Sequence, residues 1–187
     1  MMLRTLALAA TTLTALGALG CSDPVPPPSQ GGVSINIGPA SPQPDGTSCQ
    51  RTTGHNALIG NPPPTQSAKG GPVVDGEGGA EVSCRVSGAG RFSVSGKVKA
   101  GSVTFSLRGG ELSAEKDGTG TGSVASFDTK GLNLSAPTTT PCTLTTVQVK
   151  AGAAWGRFEC NAYVDSQSPT NAHCRSTGVF LLENCDQ

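Results

Sequence analysis

Arg91-Phe92-Ser93-Val94-Ser95-Gly96-Lys97-Val98-Lys99 and, two residues later, Ser102-Val103-Thr104-Phe105-Ser106-Leu107-Arg108 decide the fold. In the first run Phe92, Val94, Gly96 and Val98 share one face, and Arg91, Ser93, Ser95, Lys97 and Lys99 share the other. Side chains alternate across a strand, so this is the pattern of a half-buried antiparallel strand. The second run repeats it with Val103, Phe105 and Leu107. Only Ala100-Gly101 separates the two, which predicts a tight hairpin.

Working outward, further strands are expected at 81–87, 112–114, 123–127, 131–135, 142–150, 155–164 and 178–182. The GAG, RGG, KDGTGTG, TKG, APTTTP, AGA and DSQSPTN segments between them read as turns. No window of twelve residues carries a helical stripe. Seven or eight short strands around small side chains predict an all-β domain, a small disulfide-stapled antiparallel β-sandwich. A partly open β-barrel is the alternative. With only seven aromatic residues in 187, the core is built from small side chains, and disulfides are expected to carry part of the stability.

Upstream the composition changes. Residues 22–80 hold 11 of the 14 prolines together with 11 glycines. Proline withholds a backbone donor and glycine raises the entropy of ordering, so neither favours a packed element. The SDPVPPPSQGG run reads as a spacer. Val33-Ser34-Ile35-Asn36-Ile37 alternates briefly and reads either as an edge strand or as an apolar patch in a linker. These shifts divide the chain into 1–20, a tether at 21–32, a loop-rich and partly docked segment at 33–80, and the β-rich domain at 81–187.

The chain opens MMLRTLALAATTLTALGALGC. Arg4 gives a short positive region, residues 6–19 form an apolar run, and small residues precede Cys21. The run is too short and too abruptly followed by Ser, Asp and Pro to be a spanning helix, so it reads as an export signal. Residues 1–21 resemble the signal peptide of a bacterial lipoprotein, with Ala18-Leu19-Gly20-Cys21 as the lipobox-like end. Ala18 stands where the family prefers Leu, while Gly20 and Cys21 match its most constrained positions. The resemblance implies cleavage after Gly20, diacylglyceryl attachment and palmitate-type acylation at Cys21. With Ser22 following, it also implies sorting to the outer membrane of the bacterial envelope. The membrane partner would then be the bilayer, reached through several acyl chains, since one chain alone anchors only marginally.

Setting Cys21 aside leaves Cys49, Cys84, Cys142, Cys160, Cys174 and Cys185, an even set for an oxidising compartment. Six cysteines allow fifteen connectivities. Pairing Cys160 with Cys174 and Cys142 with Cys185 would staple the C-terminal third, and Cys49 with Cys84 would then tie the loop-rich segment to the first strong strand. Each bridge would contribute about 2–4 kcal/mol.

Thirteen basic residues balance thirteen acidic ones. This excludes a non-specific nucleic-acid binder and leaves no run of basic residues to hold anionic lipid. The most informative candidate for binding is Trp155-Gly156-Arg157-Phe158-Glu159-Cys160-Asn161-Ala162-Tyr163-Val164. Alternation places Gly156, Phe158, Cys160, Ala162 and Val164 in the core. Trp155, Arg157, Glu159, Asn161 and Tyr163 then form an outward row containing the only Trp and the only Tyr. Such a row could stack on a sugar ring or grip a peptide; the alternative is a ladder of paired charges with both rings covering the sheet.

Other motifs carry less chemistry. Residues 116–122 (KDGTGTG) lack the Gly-Lys-Ser/Thr end and following helix of a phosphate loop. Asp75-Gly76-Glu77 lacks the spacing of a calcium loop. His55 and His173 are the only histidines, and oxidation of the adjacent Cys174 would remove its thiolate chemistry. Ser168, His173 and Asp165 can be written down as a triad, but a triad is defined by geometry. No cofactor, metal or catalytic residue is therefore expected. The resulting expectation is an envelope-anchored β-domain that binds a glycan or a protein, with a structural envelope role or a small exported enzyme as alternatives.

Overall fold

A computed structural model describes residues 24–39, 55–63, 71–128, 132–165 and 174–187. Residues 1–21, expected to be an export signal ending at Cys21, and also Cys49, Ser168 and His173, lie outside the described residues. Apart from a 3-10 turn at Glu77–Gly79, the described residues form β-strands and their connections. The strands are β1 (Gln30–Pro39), β2 (His55–Ile59), β3 (Val73–Val74), β4 (Glu81–Ala89), β5 (Arg91–Ala100) and β6 (Val103–Ser113). They continue as β7 (Thr119–Asp128), β8 (Leu132–Ser135), β9 (Cys142–Lys150), β10 (Ala153–Asp165) and β11 (Cys174–Glu183).

Their order is β2-β1-β11-β10-β8-β7-β6-β5-β4, with β3 on β1 and with β9 bridging β10 and β7. β8 and β9 lie end to end between β7 and β10: β9 pairs with Thr119–Gly122 of β7, and β8 with Ala125–Asp128. The sheet folds over here, so that β4–β7 face β1, β11 and β10 across a shared core. The expected antiparallel sandwich is what forms. Leu182 of β11 reaches the layer of β5, and the Phe105 and Phe158 rings meet with centroids 5.7 Å apart.

The hairpin that announced the fold forms with its turn displaced by one residue. Ala100 pairs with Val103, so Gly101-Ser102 make the turn, and Gly101 takes φ +57°. A left-handed first turn position is what a II′ hairpin asks of glycine. Alternation holds along both strands, with Phe92, Val94, Val98, Phe105 and Leu107 buried. At Gly110-Glu111 a bulge shifts the register and returns Leu112 to the core; Glu111 has φ 56°. Residues 112–114, expected as a separate strand, are therefore the end of β6 and its exit.

Two expectations about glycine-rich segments change. Gln30–Pro39 is not tether and loop but an interior strand, flanked by β11 on one side and by β2 and β3 on the other. Val33, Ile35 and Ile37 are fully buried. The TGTG stretch, expected as a turn, forms the start of β7. Glycine suits these strands because large side chains opposite occupy the space of a Cβ. Leu144 Cδ1 lies 2.6 Å from where a Cβ on Gly122 would sit and 2.5 Å from one on Gly109. Leu182 fills the same space over Gly96, at 2.7 Å. Thin strands thus receive the few bulky side chains that the composition supplies.

The disulfides differ from the pairings suggested above. Cys84 bonds Cys185, and Cys142 bonds Cys160. Cys174 is itself disulfide-bonded. The hairpin β9–β10 explains the second bridge. Near its turn Val149 opposes Ala154, but a bulge lets Thr146 oppose Gly156 and shifts every later pair by one. Cys142 then comes opposite Cys160, with Cα atoms 4.2 Å apart; in the unshifted register it would face Asn161. The first bridge fastens the C-terminal segment to the outer edge of β4. There Val82 N–H donates to Asp75 Oδ1 at 2.7 Å, and Val86 N–H donates to the Asp186 carbonyl at 2.8 Å. Asp186 N–H donates to the Cys84 carbonyl, and Gly152 N–H to that of Val86. An unpaired strand edge is a template for aggregation, and this one is sealed.

Candidate functional site

β10 presents its outer face between β9 and β11. Cross-strand register sets Arg157 between Thr145 and Val179, and Glu159 between Thr143 and Thr177. Ser34 and Asn36 of β1 continue these two rows. Together they border an open groove of about 480 Å3. Glu159 Oε1 accepts from Arg175 Nη2 at 2.6 Å. Among the described residues no carboxylate lies within 4.0 Å of the Arg157 guanidinium, which leaves its donors for solvent or ligand.

Trp155 stands two residues before Arg157 on the same face, about 7 Å along the strand. It is half-buried, and its indole N–H donates to the Pro63 carbonyl at 2.9 Å. Pro63, Trp155 and Leu181 line a small recess of about 170 Å3. The face thus has an apolar end at Trp155 and a hydroxyl-rich, charged end at Arg157 and Glu159.

The outward row is shorter than the alternation implied. Asn161 is exposed, but Tyr163 is fully buried. Between Cys160 and Tyr163 the pairing with β11 shifts, so Ala162 and Tyr163 both turn inward. The bulge falls where β10 passes from its pairing with β9 to its pairing with β8. Tyr163 Oη then donates to Ser126 Oγ at 2.9 Å across the core. Trp155 and Tyr163 therefore do not form one platform, and Tyr163 is a core residue.

Burial raises the Tyr163 phenol above its ordinary value, with the Ser126 hydrogen bond acting in the opposite sense. Because the neutral form is favoured in the fold, its contribution is fully present below about pH 10, where unfolded tyrosine begins to ionise, and is lost as pH rises further. The chain has one Tyr, so tyrosinate absorbance reports this group alone. It is expected to appear above pH 10 only together with loss of the β-sheet circular-dichroism signal. Reversible ionisation near pH 10 in an intact fold would show Tyr163 to be at the surface.

A second polar face lies on the other layer. The registers align Arg85, Ser95, Arg108 and Ser123 in one row across β4 to β7, and Ser83, Lys97 and Ser106 in the next. These residues border an open trough of about 540 Å3. Its cations are more than ten positions apart in the chain, so no basic run marked it. Only pairing through two hairpins makes it visible.

Among the described residues the remaining motifs form no further site. Asp75 is occupied at the edge of β4. Among the described residues no three His, Cys, Asp or Glu side chains are placed to hold a metal ion. Asp165 ends β10 and His55 begins β2, whereas Ser168 and His173 lie outside the described residues. Comparison with protein-family models, with curated proteins and with solved structures gives no match.

Proposed function

We propose that this chain is a lipid-anchored protein of the bacterial envelope whose β-domain binds a glycan along the outer face of β10. The anchor rests on the lipobox-like Ala18-Leu19-Gly20-Cys21 end of the export signal. The binding role rests on one arrangement: Trp155, Arg157 and Glu159 in line on one strand, with threonines from both neighbours beside them. A sugar offers an apolar ring face and a rim of hydroxyls. An indole takes the ring face, while a guanidinium, a carboxylate and hydroxyls take the rim. The indole is held in place by its bond to Pro63, which lowers the cost of ordering it on binding.

The test is a glycan-array screen of the lipidated protein, followed by affinity measurements on Trp155→Ala and Arg157→Ala. Each is expected to weaken the selected glycan by about tenfold or more, the scale of a buried ring contact or a charge-assisted hydrogen bond. Labelling with palmitate should be lost in Cys21→Ala. Glycan binding that survives both face substitutions would refute the site, and unlabelled protein with Cys21 present would refute the anchor.

A further inference from the structure

We infer that the outer face of β4–β7 is a second binding site, for an anionic glycan chain carrying carboxylate or sulfate groups. It does not depend on the β10 face, which lies on the opposite side of the sandwich.

Charge is the first observation. Five of the thirteen basic residues, Arg85, Arg91, Lys97, Lys99 and Arg108, project from this one face. Carboxylates offset them only in part. Glu81 contacts Lys97 and Lys99 at one end, and Glu111 contacts Arg91 at the other. All three ion pairs are solvent-exposed and worth little, so a ligand can replace them. Among the described residues no carboxylate side chain approaches within 4.0 Å of Arg108, and the Arg85 guanidinium donates to the Gln187 main-chain oxygen at 3.0 Å. Asp186 is the carboxylate residue bordering the trough, on its Arg85 side.

Shape and spacing are the second. Adjacent strands lie about 4.8 Å apart, which sets the Arg85 and Arg108 backbones about 10 Å apart with Ser95 between them. Lys97 is offset by two residues along β5, and Ser106 lies beside it. The cations therefore rise from a floor of serine hydroxyls. A chain of sugars bearing regularly spaced anions can place its charges on the three cations and its hydroxyls on the floor. A flat bilayer would meet the rim and leave the floor hydroxyls unused. Single-stranded nucleic acid would need stacking platforms, and the outward aromatic here, Phe127, stands at the far end beside Thr104.

The experiment uses the full chain with dextran sulfate as probe, and with uncharged dextran and phosphatidylglycerol vesicles as comparisons. Dextran sulfate should bind with an affinity that falls steeply between about 50 and 200 mM salt, as counterion release requires. Uncharged dextran should not bind this face. Arg108→Ala and Lys97→Ala should each weaken binding by about tenfold, whereas Lys150→Ala at the end of β9 should leave it unchanged. Polygalacturonate should compete. Melting curves on each variant separate lost binding from lost fold. No binding of dextran sulfate, equal binding of both dextrans, or binding untouched in the Lys97/Arg108 double variant would overturn the proposal. So would binding of vesicles without binding of dextran sulfate.

Discussion

Replacing Gly178 by Ala is expected to lower the melting temperature by roughly 6–12 °C, through a loss of about 3 kcal/mol. The added methyl would overlap the Ser34 carbonyl oxygen and the Phe158 ring at once. Neither can yield cheaply. Ser34 belongs to the interior strand β1, paired with β11 over ten residues, and Phe158 is buried against Phe105. Relief would require separating β1 from β11 or expelling the ring. Gly110→Ala is the matched control, because it lies within β6 and a Cβ there meets nothing within 4 Å. It should be neutral or gain a few tenths of a kcal/mol by restricting the unfolded chain. Equal melting of the two variants would show that the strand glycines are not sockets.

Removing the Cys84–Cys185 bridge should cost more still. It closes a loop of 101 residues, whereas Cys142–Cys160 closes one of 18. Constraint of the unfolded chain grows with loop length, giving about 4–5 kcal/mol for the first and about 3 kcal/mol for the second. For the paired substitution Cys84→Ala with Cys185→Ala this corresponds to roughly 10–20 °C in melting temperature. A second consequence is specific to this bridge. It holds Asp186 along β4, and loss of that segment uncovers the donors and acceptors of Cys84 and Val86. The variant should therefore aggregate at protein concentrations where Cys142→Ala with Cys160→Ala remains monomeric. Urea unfolding and light scattering on both variants test the two parts. A smaller loss from the long bridge than from the short one would overturn the ranking.

The strands easiest to read were those where alternation was regular and the turns carried glycine. β4, β5 and the first half of β6 follow their sequence pattern almost residue by residue. Reading failed where glycine has two meanings. In KDGTGTG the first glycine ends a turn, while Gly120 and Gly122 lie inside β7 under Leu112 and Leu144. Local sequence cannot separate these uses, because the reason for the second is a side chain on another strand, eight positions away for Gly120 and twenty-two for Gly122. Val33-Ser34-Ile35-Asn36-Ile37 was legible as a strand but not as an interior one, since its partners β11 and β2 come from the far end of the chain and from the loop-rich segment.

The candidate sites show the same boundary. Trp155, Arg157 and Glu159 follow from simple period-two arithmetic, and the structure adds the threonines beside them. Tyr163 does not follow, because one bulge reverses the parity of everything beyond it. The Arg85, Lys97 and Arg108 trough was invisible in a balanced composition, since net charge says nothing of which strands lie side by side.

By itself the sequence determined the fold class: short alternating strands around small side chains, stapled by an even set of cysteines beyond Cys21. Those features are local, written in composition and in a period of two. Tertiary structure alone decided which cysteines bond, which glycines are sockets, which way Tyr163 points and where the cations gather. Each depends on register, and a shift of one residue exchanges the two faces of a strand. Register is settled only when distant strands bury their faces against each other.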